Sequence, residues 1–336
     1  MDQRQRRNAN GWRLGVDVGG TKIATLLVDD DNRVWASVQR PTDTRTPDHA
    51  LQSLADTIWE TLKQADLPIR LLAGIGIGIP GQVDTQSGIV RHAVNLGWQS
   101  VDLRGFINAT FGTACVIEND VRAAALGIQR YWLAGSIDSM LYVSIGTGIA
   151  AGMILDGAVY RGSHGMAGEI GHARFGSSTI RCRCGNYGCL EAVVAGPAIA
   201  NYAQSLLSTF PHSQLQQLDS VTTSAVYAAA EAGDELAVSV AHMVGDQLAQ
   251  ALYTMVLAYD CDHIVLGGGV SRAGSAFFSP IEQALDGLCQ QSSLAASLLP
   301  AGRVKLLDRD FAAGAWGGIA LLDSQALARV AQAQLA

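Results

Sequence analysis

Charge is scarce in this sequence. Asp, Glu, Lys and Arg make up 16% of its 336 residues, against roughly 25% in an average soluble protein. With hydrophobic residues at 49%, that scarcity implies a large buried core. Basic excess is absent too. Thirty acidic residues outnumber 23 basic ones, for a formal net charge of −7, which disfavours a nucleic-acid partner. No apolar run reaches the ~18 residues of a membrane span, and "MDQRQRRNANGW" lacks the apolar stretch of a secretory signal. The expectation is a cytoplasmic protein without a membrane partner, its basic tail a solvated extension. Cysteine is sparse as well: six in all, too few and too unevenly spread for a disulfide framework. Cys115, Cys261 and Cys289 stand singly in apolar stretches, as buried free thiols do. The other three crowd into "CRCGNYGC", residues 182–189, and that concentration needs its own explanation.

The chain exceeds the roughly 250–300 residues at which a single core stops growing, so two domains are expected. "RLGVDVGGTKIATLLVDDDNRV" reads as two strands joined by a glycine-rich turn. Leu51, Leu54, Ala55, Ile58, Leu62 and Ala65 then recur at helical spacing, with Thr46 placed to cap the helix before Pro47. "LLAGIGIGIPG" and "ACVIEND" read as buried strands, the second leading into a helix at "VRAAALGIQRYWL". Strand and helix alternate, which defines an α/β class. At residue 141 the first pattern returns: "LYVSIGTGIAAGMILDGAV" lies over the first hairpin with Asp17 on Ser144 and Gly19 on Gly146. Two domains of related design follow from that repeat. Most of the remainder reads as helix, interrupted by the strands "HIVLGGGVS" and "RVKLLDRD". A last helix from about Ala312 is placed to return to the first domain.

Three glycine-rich turns end strands: Gly19-Gly20-Thr21-Lys22, Gly146-Thr147-Gly148 and Gly267-Gly268-Gly269. Glycine lets backbone N–H groups approach an anion closely. Neither common nucleotide fingerprint fits, but three such turns, one beside Asp17 and Lys22, favour a divided phosphate site. Asn119-Asp120 stands where a strand passes into a helix. It reads either as a helix cap or as a carboxylate at the strand end where open α/β sheets bind ligands. His172, Cys182, Cys184 and Cys189 form the ligand set of a tetrahedral Cys3His zinc site. Arg181, Arg183, Gly185, Asn186 and Gly188 make that stretch a polar loop, so a chance cluster of core thiols is disfavoured. With four protein ligands the Zn²⁺ would be structural, a staple that fixes Glu169 and Glu191 on either side.

In chain order, "DVGGTK", "GIPGQVD", "NLGW", "ENDVRAAALG", "SIGTGIAAGMI", "GMAGEIGH", "CRCGNYGCLEA" and "VLGGGVS" resemble the ROK family of repressors, open reading frames and sugar kinases, within the actin-like ATPase superfamily. The resemblance spans Leu14 to Leu322. It implies a two-domain, duplicated RNase H-like fold with ATP and a hexose in an interdomain cleft. The N-terminal domain would take residues 12–121 plus about 312–336, and the C-terminal domain 122–311 with the zinc loop. Asp120 would be the general base that takes the proton of the sugar 6-hydroxyl. Asn119, Glu169, His172 and Glu191 would hold other hydroxyls, with Gly81 through its backbone and Asn95 beside them. The glycine turns would hold ATP, and Asp17 would help place Mg²⁺. At a helix N-terminus Asp120 is expected to stay anionic at neutral pH.

"NLGW" with "GEIGH" is most similar to the glucokinase branch, so the implied reaction is glucose to glucose 6-phosphate. N-acetylmannosamine, N-acetylglucosamine and fructose kinases are the alternatives. A non-catalytic sugar-binding regulator is the rival class; the roughly 12 residues before the first strand are expected to be too few for a helix-turn-helix. Family members are commonly homo-oligomers, dimers or tetramers. Two departures stand out: Val121-Arg122-Ala123 where Ala-Asn-Ala is common, and Ala150-Ala151 where glycines are common. Arg122 is thereby expected to alter the charge of the cleft.

Overall fold

The computed structural model describes residues 11–175 and 179–323. The basic tail before residue 11 and the expected domain segment beyond residue 323 lie outside them. Within the described residues the chain forms two compact units, 11–138 with 152–167 and 312–323, and 139–151 with 168–311.

In the first unit, β1 (Trp12–Val18), β2 (Lys22–Val28), β3 (Val34–Pro41), β4 (Leu72–Ile79) and β8 (Cys115–Asn119) form one sheet in the order β3-β2-β1-β4-β8. β1 to β3 run antiparallel, and β4 and β8 join parallel to β1. One face of this sheet is covered by α1 (Pro47–Gln64), whose Leu54, Ile58 and Leu62 are buried in the core with Leu14, Val16, Ile75 and Ile77. The Thr46 hydroxyl caps α1 by accepting the His49 N–H at 3.3 Å.

Two glycines paired across β1 and β4, Gly15 and Gly76, explain what packs elsewhere on the sheet. A Cβ at Gly15 would lie 1.9 Å from Ala315 O, and one at Gly76 1.9 Å from Gly318 O. The helical residues 313–323 therefore sit directly on the strand backbones, as only glycine allows. Arg13 pairs with Asp323, and the Tyr131 hydroxyl donates to the same carboxylate at 2.5 Å. Between β4 and β8 the chain makes a small antiparallel sheet of β5 (Gln82–Asp84), β6 (Ile89–Ala93) and β7 (Trp98–Asp102), then α2 (Leu103–Phe111). After β8 comes α3 (Asp120–Gly127). It packs on β4 and β8 and stays with the first unit. The expected division after residue 121 is therefore corrected to one after residue 138.

The second sheet holds β9 (Met140–Ile145), β10 (Ile149–Leu155), β11 (Ala158–Tyr160), β12 (His263–Gly267) and β13 (Val304–Leu306), in the order β11-β10-β9-β12-β13. Numbered within each sheet, both run third, second, first, fourth, fifth. The duplication read from the two hairpins is a duplication of topology. The division between units passes within β10. The helices that follow are α4 (Glu191–Val194), α5 (Gly196–Leu206), α6 (Thr223–Glu231), α7 (Glu235–Tyr259), α8 (Ser275–Gln291) and α9 (Ser293–Leu298). No helix among the described residues is long and apolar enough to cross a membrane.

Candidate functional site

In the first unit the sheet delivers its polar residues to the C-terminal ends of β1, β4 and β8, where open α/β sheets carry their sites. Asn119 ends β8 and caps α3, its Oδ1 accepting the N–H groups of Val121 at 3.1 Å and Arg122 at 3.2 Å. Its Nδ2 donates to Gly81 O at 3.3 Å and to Asp120 Oδ1 at 2.9 Å. Gly81, Asn119 and Asp120 thus form one cluster. Gly81 has φ 96°, and a Cβ there would meet His92 O at 2.0 Å, so this position takes only glycine.

The Asp120 carboxyl is pushed up to about 7, first by burial and then by the charge of Asp17, against the N–H groups and the Asn119 amide that favour its ionised form. The expectation of a plain carboxylate is therefore corrected. The first turn of an eight-residue helix does not offset the loss of water and a neighbouring acid. Asp17 is itself raised by burial, with Lys22 acting the other way. The start of the 313–323 helix lies against it, since a Cβ at Gly314 would fall 2.3 Å from its Cγ.

The first glycine turn is closed by Gly19 N–H to Lys22 O at 2.8 Å. Thr42 braces it, its hydroxyl donating to Gly19 O at 2.7 Å and its N–H to Thr21 O at 3.1 Å. Asn95 lies against this turn, because a Cβ at Gly20 would meet Asn95 O at 2.9 Å. Lys22 is exposed and donates to Gln39 Oε1 at 3.0 Å.

In the second unit, Gly146 N–H bonds Gly148 O at 2.9 Å, and Gly196 N–H bonds Gly146 O at 2.8 Å. Thr147 is exposed at the tip. The third turn comes alongside through the parallel pairing of β9 and β12, which sets Gly267 opposite Ser144. A Cβ at Gly268 would fall 2.4 Å from Ile145 O, and one at Gly146 3.8 Å from Gly269 N. Two of the three glycine turns are thus one local surface. Glu191 reaches the same place: its Oε2 accepts the Ile149 N–H at 3.0 Å. Glu169 is exposed and precedes the short 3₁₀ turn Ile170–His172.

His172, Cys182, Cys184 and Cys189 come together, with one ligand atom from each lying within 4.8 Å of all the others. Cys182 Sγ is 3.6 Å from His172 Nδ1, and Cys184 Sγ is 3.6 Å from Cys189 Sγ. A disulfide needs about 2.05 Å. Tetrahedral ligands about 2.0–2.3 Å from one zinc stand roughly 3.5–3.8 Å apart, so the set fits a Cys3His zinc centre.

Arg122 is corrected. It is buried, pairing through Nη1 with Glu118 at 3.6 Å and donating through Nη2 to the Gly165 and Ala167 carbonyls at 2.5 and 3.3 Å. Arg161 takes the other Glu118 oxygen at 2.6 Å. The guanidinium fastens 161–167 to the base of α3, and its charge is spent on Glu118. Sequence reasoning missed Glu118, Arg161, Thr42, Gly196 and Gly314. Only Glu118 carries a local signal, an acid inside an apolar strand with an arginine four residues on.

The sequence model of the ROK family matches residues 13–323. The chain belongs to the ROK family. Among curated relatives, this ROK protein is 32% identical over 278 residues to a glucokinase of Halalkalibacterium halodurans, covering 81% of this chain and 84% of that one. Among solved structures, a ROK glucokinase of Streptomyces griseus in complex with glucose and AMPPNP superposes with a TM-score of 0.74 at 27% identity, over 92% of this chain and 98% of that one. A ROK family transcriptional regulator, a homologue of the E. coli MLC protein, superposes with a TM-score of 0.81 at 28% identity, over 94% and 78% of the respective chains. The fold is the duplicated α/β arrangement of the actin-like ATPases.

Proposed function

We propose that this ROK protein transfers the γ-phosphoryl group of ATP to the 6-hydroxyl of a hexose, with glucose as the favoured sugar. One observation carries the reading: Asp120 is a buried carboxyl at the end of β8, hydrogen-bonded by Asn119 beside Gly81, and burial followed by the charge of Asp17 pushes it up to about 7. A general base works best with its pKa near the operating pH. A residue that only capped α3 would gain nothing from burial, and Asn119 already supplies the cap.

In the proposed reaction the sugar hydroxyl gives its proton to Asp120 as its oxygen attacks the γ-phosphorus. The Asn119 amide, bonded to Asp120 Oδ1, keeps that carboxylate aimed. Asp17 and Asp120 present two carboxyls that burial raises, Asp120 being raised further by the charge of Asp17, a hard oxygen set of the kind that holds Mg²⁺ together with substrate phosphates. Bound there, Mg²⁺ would neutralise phosphate charge. Backbone N–H groups of the glycine turns receive the phosphates. His172 turns Nδ1 toward Cys182, which leaves Nε2 for a sugar hydroxyl, alongside Glu169 and Glu191. Zinc at the Cys3His set would lock that ring orientation.

N-acetylmannosamine, N-acetylglucosamine and fructose are the alternative sugars. The similarity to a transcriptional regulator supports a second reading, a sugar-binding regulator that does not turn over. A coupled assay of ADP release with Mg²⁺ across glucose, mannose, fructose, allose, N-acetylglucosamine and N-acetylmannosamine separates them. Release with glucose at the highest kcat/KM is expected. Silence across the panel sinks the kinase reading in favour of the regulator.

A further inference from the structure

We propose that Glu191 is a positioning residue for the second glycine turn, holding Gly146–Gly148 in the shape that receives nucleotide phosphates; the role rests on the kinase reading above. The turn has little of its own to keep it in place. Its residues are two glycines and an exposed threonine, with no side chain packed in a core. Yet backbone donors serve an anion only when their directions are fixed beforehand.

The fixing comes from residues far along the chain. Glu191 Oε2 accepts the N–H of Ile149, the residue directly after the turn, at 3.0 Å. A Cβ at Gly148 would fall 2.6 Å from the same oxygen, so the carboxylate fills the space that glycine leaves. On the other side of Ile149, a Cβ at Gly171 would meet the Ile149 carbonyl oxygen at 2.3 Å, so Gly171 backs directly onto that group. The two gripping residues flank the Cys/His cluster: Gly171 precedes His172, and Glu191 follows Cys189 by two positions. Leu190 N–H to Ala173 O at 3.0 Å joins the flanks. The cluster therefore braces the phosphate turn through Glu191, in addition to any contact that Glu191 makes with sugar. An amide bonded to an ionised acceptor is among the stronger hydrogen bonds, which makes this carboxylate a firm anchor.

The test is calorimetric titration of AMPPNP with Mg²⁺ in the absence of any sugar, so that sugar contacts cannot contribute. Glu191→Ala should bind about ten-fold more weakly than wild type. Glu191→Gln, which keeps an acceptor oxygen, should stay within about three-fold. Gly148 has no positive φ, so Gly148→Ala is tolerated by the backbone and pushes the carboxylate away from the other side. It should weaken AMPPNP comparably in the wild type and add little in the Glu191→Ala background, the non-additivity of two changes acting on one contact. Unchanged AMPPNP affinity in Glu191→Ala, or a full effect of Gly148→Ala in that background, overturns the role. If Glu191→Ala does not fold, Glu191→Asp, whose shorter arm draws the carboxylate back from Ile149 N–H, takes its place both alone and as the background for Gly148→Ala. A wild type that binds no AMPPNP overturns the kinase reading together with this role, which is a different result from wild-type binding that ignores Glu191.

Discussion

The first and second glycine turns occupy equivalent places in two sheets of the same strand order, yet they are held differently. The first is braced from close by in the chain, by Thr42 just beyond β3, and it carries its own charges in Asp17 and Lys22. The second has Ser144 where the first has Asp17 and no charge of its own; Glu191 and Gly196 brace it from more than 40 residues away. Duplication preserved the strand order and left the bracing free to diverge. One copy carries an acid suited to a cation, and the other is hydrogen-bonded by the segment that carries the Cys/His cluster. The residues proposed for the sugar also divide between them, Asn95 against the first turn and Glu191 against the second.

The sharpest break of this comparison is a matched pair of substitutions. Asp17→Asn should lower turnover by about 10²-fold or more, since charge neutralisation dominates phosphoryl transfer. Ser144→Ala at the equivalent place should stay within about three-fold. Equal effects in steady-state kinetics would mean that the copies did not diverge in this way.

A smaller effect is expected from the cluster. Cys184→Ser should leave less than one zinc per chain by elemental analysis and raise the sugar KM about ten-fold. The sequence alone places the consequence with the sugar, because the glycine turns are distant in the chain. The Glu191 to Ile149 bond adds the nucleotide, so the ATP KM should rise as well, by several-fold. A rise confined to the sugar would separate the cluster from the second turn.

The smallest effect concerns stability. A carboxyl whose pKa is raised on folding favours the folded state while it is protonated. That advantage is complete below its unfolded value of about 3.9 and is lost as pH rises through the folded value, about 7 for Asp120. Asp120→Asn avoids the loss. It should melt about 2–4 °C above ligand-free wild type at pH 8, and the gap should close as pH falls toward 4. A gap independent of pH would contradict the raised carboxyl.

The strand and turn pattern was largely legible, because apolar period and glycine punctuation are local signals. The paired hairpins, the Thr46 cap and the Cys/His set all follow from spacing within a few tens of residues. What escaped is long-range or directional. The β5-β6-β7 sheet is built from strands of three and five residues with exposed positions, too short for a clear period. Arg122 looked like a charge added to the site, since no local rule reports that its side chain turns inward to Glu118. The raised Asp120 carboxyl depends first on burial and then on Asp17, more than 100 residues earlier, in a sheet where β4 lies between β1 and β8. Glu191 was readable as a polar residue beside a metal set, but its contact with Ile149 needs the fold.

Phosphoryl transfer to a sugar with Asp120 as base is tested most directly by ³¹P NMR of the products formed from glucose, ATP and Mg²⁺ by wild type and by Asp120→Asn, with glucose binding measured on both. Wild type should form a glucose 6-phosphate resonance. Asp120→Asn should bind glucose within a few-fold of wild type and form product at least about 10²-fold more slowly. Product formation by Asp120→Asn at the wild-type rate would contradict the account.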